Sequence, residues 1–177
     1  MKKNTLALVL ALTLLVAGVV GGTLAWLTDQ TAEVKNTFTV GDINIGLTET
    51  TADYKMVPGN TIAKDPTVTV KANSEACWLF VKVTESTDLK DFITYAIAEG
   101  WTALPGVDGV YYREVPASAA DQTFSVLAGD AVTVKSDVTR TMLETAKTDA
   151  PTLTFKAYAI QKDHFATADA AWAEVSK

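Results

Sequence analysis

Cysteine and histidine are almost absent from this chain: Cys77 and His164 are single occurrences in 177 residues. One cysteine excludes an intramolecular disulfide, so the fold must be held by its core alone. One histidine, without an HExxH motif, cannot supply the usual zinc set of two or more His or Cys ligands. GxSxG, P-loop and dinucleotide fingerprints are missing too. Basic charge is scarce: 15 Lys and Arg against 21 Asp and Glu leave a formal charge of −6. That balance argues against nucleic acid and anionic membranes as partners.

Long apolar runs are also lacking. The one candidate, Leu6 to Val20, is interrupted only by Thr13 and Gly18. It is shorter than the roughly twenty residues a spanning helix needs. Lys2 and Lys3 precede it, and Gly21, Gly22, Thr23, Leu24 and Ala25 follow. A positive start, a short apolar core and a small-residue exit describe a secretory signal peptide. Cleavage is expected between Ala25 and Trp26, which predicts a signal peptide over 1–25 and one secreted domain over 26–177. That domain loses Lys2 and Lys3 and no acid, so its formal charge becomes −8. After cleavage no membrane association is expected. A retained N-terminal anchor is the alternative.

What the chain has in quantity is strand-forming sequence: Thr, Val, Ile and aromatic residues in period-two alternation. Phe38 to Leu47 reads as one strand or a bent pair, its phase slipping at Gly41-Asp42. Met56 to Asn60 is a turn around Pro58-Gly59. Thr67 to Lys71 alternates with Val68 and Val70 inward. In Cys77 to Glu85, Cys77, Leu79, Val81 and Val83 share one face, and Trp78 and Phe80 make the other apolar as well. Such a strand belongs in the middle of a sheet covered on both sides. Phe92 to Val115 reads as two strands and a loop, with a helix over Asp88 to Glu99 less favoured. Phe124 to Leu127 and Ala131 to Lys135 flank a turn at Ala128 to Asp130. Thr139 to Lys147 is weakly helical. Thr152 to Gln161 is the second strong strand, and Thr167 caps a terminal helix, Ala168 to Val175, anchored by Trp172. Seven to nine strands with one late helix predict an all-β fold, an antiparallel β-sandwich of jelly-roll type.

The reactive residues do not converge on an active site. Cys77 shares the parity of Leu79 and Val81, which suits a small core residue better than a nucleophile. His164 falls between the last strand and the terminal helix, in a loop position. Asp29, Asp42, Asp108 and Asp130 lack the spacing of a calcium loop. Trp78, Trp101, Tyr111 and Tyr112 suit core and cross-strand packing better than a sugar- or peptide-binding face. The residues therefore point to a protein that is not an enzyme, with no cofactor and no metal.

Several stretches together resemble a known family: "GGTLAWLTDQ" (Gly21 to Gln30), "NTFTVGDINIGL" (Asn36 to Leu47), "YKMVPGNTIAKDPTVTV" (Tyr54 to Val70), "CWLFVKV" (Cys77 to Val83), "GWTALPGVDGVYYREV" and "TLTFKAYAIQKDHFATADAAW". The chain resembles the TasA/camelysin family of Gram-positive bacteria from about Met1 to Trp172. These are secreted proteins processed by a SipW-type signal peptidase, and members form fibres of the biofilm matrix. The resemblance implies a jelly roll whose freed N-terminal strand is added to the next subunit's sheet. Carried over by position, the donor segment is Trp26 to Phe38, with Trp26 and Leu27 as apolar anchors followed by Thr28, Thr31, Val34 and Phe38. The expected partners are further copies of the chain in filaments, a signal peptidase during export, and other matrix proteins. The expected place is the extracellular matrix or cell surface. The chain is much shorter than the fibre-forming members. The camelysin branch is also described as metallopeptidase, but no motif here matches such a ligand set. A monomeric cell-surface binding module is the alternative function.

Overall fold

The computed structural model describes residues 42–50 and 54–177, and the period-two stretches within them become strands. The cleavage junction Ala25–Trp26, the donor residues Trp26, Leu27, Thr28, Thr31, Val34 and Phe38, and the Gly41 phase slip lie outside the described residues. The strands are β1 (Ile45–Thr48), β2 (Thr61–Ala63), β3 (Thr67–Val70), β4 (Cys77–Glu85), β5 (Ile93–Thr94), β6 (Thr102–Ala103), β7 (Val110–Val115), β8 (Gln122–Ser125), β9 (Ala131–Val134) and β10 (Leu153–Gln161). Among the described residues there are also three short α-helices, α1 (Leu89–Phe92), α2 (Arg140–Ala146) and, after the last strand, α3 (Ala168–Val175). The described residues form an all-β fold in which every strand pairing is antiparallel.

One sheet has the order β10-β4-β7-β6 and a second the order β1-β3-β8. They face each other across a core of Val68, Val70, Cys77, Leu79, Val81, Val115 and Val126. A third sheet, β2-β9-β5, continues the second. The ladder between β3 and β8 passes into that between β2 and β9 through Val126 N–H to Pro66 O (2.9 Å) and Lys64 N–H to Asp130 O (2.8 Å). The Pro58-Gly59 turn that feeds β2 closes through Asn60 N–H to Val57 O at 3.0 Å.

β4 is the central strand that its sequence predicts. Cys77, Leu79, Phe80 and Val81 are wholly buried, and Trp78 is 5% exposed. Its second apolar face is needed because α3 packs there, with Phe80, Trp78, Ala168 and Ala171 in one cluster. Trp172 meets the Phe80 ring at 5.3 Å and stands edge-on to Tyr158 at 5.1 Å. The Thr167 hydroxyl accepts from Ala170 N–H and caps α3 as expected. Thr139 caps α2 in the same way.

Three expectations need correcting. Ten described strands replace seven to nine, because β5 and β6 have two residues each and are too short to show a period. Phe92 to Val115 is not two strands. It enters from α1, a single helical turn that buries Leu89 and Phe92, and then gives β5, β6 and β7. Leu47, given the parity of Ile43 and Ile45, is 37% exposed, whereas those two pack against the core.

Candidate functional site

An unpaired strand edge presents a row of backbone donors and acceptors to whatever can add another strand. The longest such edge among the described residues belongs to β10. All nine of its residues pair with β4, from Leu153 opposite Glu85 to Gln161 opposite Cys77. β10 ends its sheet, and no other described strand bonds to it. The core behind this edge is thinly covered. Leu153, Phe155, Ala157 and Ala159 point inward but are only half-buried, whereas the inward residues of the neighbouring β4 are sealed. Ala157 and Ala159 carry one carbon each, so they fill little of the space between the sheets. On the other face of β10, Thr154 and Lys156 are exposed.

Beside the start of β10 lies a cavity of about 440 Å³, lined among others by Met56, Ile62, Leu89, Ile93 and Leu153, with Lys64 and Tyr54 at its polar end. Lys64 is 7% exposed. Its Nζ lies 2.6 Å from Glu49 Oε1, and the Tyr54 hydroxyl donates to that same oxygen at 2.7 Å. The ammonium also stands over the Tyr54 ring at 4.7 Å and the Phe155 ring at 5.4 Å. Burial, and then the hydrogen bond to Glu49, push the Tyr54 phenol above its ordinary range. Next to Glu49, the Thr50 amide donates to Asp65 at 3.0 Å and its hydroxyl donates to the other carboxylate oxygen. The Thr50 hydroxyl is the main reason that the Asp65 carboxyl is held below the usual range.

A second concavity consists of two adjoining clefts of about 350 and 380 Å³ that share Glu85, Tyr95 and Tyr111. Tyr95 donates its hydroxyl to Glu85, and burial followed by this bond raises its pKa.

The residues that sequence reading considered for chemistry have structural places. Cys77 is completely buried, and its burial pushes the thiol up to about 11, so it is no exposed nucleophile. His164 is exposed on the 3-10 turn Lys162–His164. Trp78 and Tyr112 lie on the α3 side of their sheet, whereas Tyr111 and Trp101 pack toward the inter-sheet core. The four aromatics therefore form no single platform. Trp78 Nε1 donates to Phe165 O at 3.0 Å, and Trp101 Nε1 to Ser125 O at 2.9 Å. Among the described residues no group of three or more His, Cys, Asp or Glu comes together.

Two side chains escaped the sequence reading. Lys64 shares the parity of Ile62, Pro66, Val68 and Val70, so a lysine on an otherwise inward apolar face was the available signal. Arg113 shares the inward parity of Tyr111 and Val115. Its guanidinium lies 3.9 Å from the centre of the Phe124 ring on β8 and 5.4 Å from that of Trp101. No family model, curated protein or solved structure matches the chain.

Proposed function

We propose that this chain is a secreted structural subunit of an extracellular matrix, a jelly-roll sandwich that polymerises by strand exchange. Signal cleavage after Ala25 frees Trp26–Phe38, and this arm adds to the β10 edge of the next copy. The observation that carries the reading is the nine-residue edge of β10, backed by half-covered Leu153, Phe155, Ala157 and Ala159. Backbone pairing supplies affinity and alternate side chains set register in such additions. Trp26, Leu27, Val34 and Phe38 bring large apolar groups, and Ala157 and Ala159 leave room for them. Head-to-tail addition does not close on itself, so it grows filaments. In this reading the protein acts without catalysis, cofactor or metal.

Electron microscopy of the cleaved protein tests the reading. Filaments are expected from a chain starting at Trp26, and none from a chain lacking Trp26 to Lys35 that keeps its circular dichroism. Hydrogen exchange locates the acceptor: amides of Thr154 to Ile160 should slow on assembly. Protection confined to β1 would move the site to the opposite sheet, and filaments from the armless chain would end the mechanism. The clefts at Glu85, Tyr95 and Tyr111 favour a second reading, a monomeric surface-binding module, which predicts a monomer by light scattering at high concentration.

A further inference from the structure

We propose that Lys64 and Glu49 are a self-modifying pair that joins its side chains through an amide bond. Lys64 is one of only two buried polar or charged residues among those described, and its Nζ touches a carboxylate oxygen at 2.6 Å. The amine thus touches an oxygen bonded to the carboxyl carbon, and reacting atoms in near-attack conformers lie roughly 3–3.5 Å apart. Apolar groups surround the Lys64 end of the pair: the Tyr54 and Phe155 rings lie near the ammonium, and Met56, Ile62 and Leu153 line the adjoining cavity, whereas the Glu49 side chain is 25% exposed. In the proposed step a proton passes from Lys64 to Glu49 within this contact. The neutral amine is then the nucleophile.

Attack of Nζ on Glu49 Cδ forms the C–N bond and puts negative charge on Oε1, the oxygen to which the Tyr54 hydroxyl already donates at 2.7 Å. The Cδ–Oε2 bond breaks, and Oε2 leaves as water with the transferred proton and one amine proton. Ammonium plus carboxylate thus become amide plus water, with no other reactant. Thr50, bonded to Asp65 through its amide and hydroxyl, fixes the backbone next to Glu49 and keeps the carboxyl in place. The product is a covalent ring from the end of β1 to the start of the β3 segment.

Mass spectrometry of the purified secreted protein decides this. The expected result is an intact mass one water below that of the sequence from its measured N-terminus, and a branched peptide joining Glu49 to Lys64 after proteolysis. Lys64→Arg and Glu49→Ala should show full mass, and Tyr54→Phe should slow bond formation at least tenfold. Full mass in the unaltered protein after prolonged incubation at neutral pH, with the two peptides recovered separately, overturns the proposal and leaves an ordinary ion pair.

Discussion

At Cys77 the packing of one small side chain decides its chemistry. The thiol sits wholly buried on the inward face of β4, and desolvation raises its pKa from the ordinary 9.0 to about 11. A folded-state pKa above the unfolded one means that the native protein holds its proton longer. The associated stability is therefore complete below pH 9 and is lost as the pH rises from 9 toward 11. Thiol titration should find Cys77 unreactive at pH 8 until urea unfolds the protein; prompt labelling of the native protein would contradict the burial. The loop before β7 offers a second test at this scale. A Cβ added at Gly109, where φ is +71°, would lie 2.4 Å from the Val83 carbonyl oxygen, backbone that cannot step aside. Gly106, at φ +73°, has open space around it. Gly106→Ala should cost about 1 kcal/mol from backbone conformation alone. Gly109→Ala should cost about 3 kcal/mol or more, since it adds the collision. Equal urea midpoints for the two variants would show that the β7 turn yields.

The elements differ in how plainly the chain announces them, and the reason is length. β4 and β10 run for nine residues each, long enough for period two to stand out, and they pair with each other along their whole length. The Thr167 cap was legible because a hydroxyl before a helical stretch has a specific bond to make, whereas Thr139 read as part of a helix that it in fact caps. β5 and β6 were not, because two residues have no period and their pairing with β9 and β7 is imposed from outside. Phe92 belongs to a helical turn rather than a strand because burial of Leu89 with it outweighs local β propensity. α3 is the element whose energetics can be separated. Its cap is one hydrogen bond, whereas Trp172 covers Phe80 and Tyr158. Thr167→Ala should lower stability by about 1 kcal/mol. Trp172→Ala should lower it by about 3 kcal/mol, by opening the outer face of the four-stranded sheet. A cap variant more damaging than the Trp172 variant in urea unfolding would mean that α3 is held by its end and not by its anchor.

For the whole molecule, sequence could nominate a donor but not an acceptor. Trp26–Phe38 is named as donor only by the family resemblance, whereas which edge stays open among the described strands depends on the sheet order β10-β4-β7-β6, a property of long-range pairing. Lys64 was overlooked for a related reason: its inward parity is visible, but Glu49 and Tyr54 are brought to it only by the fold. Charge adds a condition on assembly. In the proposed filament each copy, cleaved after Ala25, would carry a formal charge of −8, so stacking would bring like charges together. At low salt that repulsion reaches across subunits, because the screening length is about 30 Å at 0.01 M and only about 8 Å at 0.15 M. Strand addition itself relies on backbone bonds and apolar side chains, which salt at these concentrations barely weakens. Filament growth followed by light scattering at pH 7 should therefore quicken as ionic strength rises from about 0.01 to about 0.15 M. Growth that slows over the same range would mean that opposite charges draw the subunits together. The contact would then lie at a charged surface instead of the β10 edge.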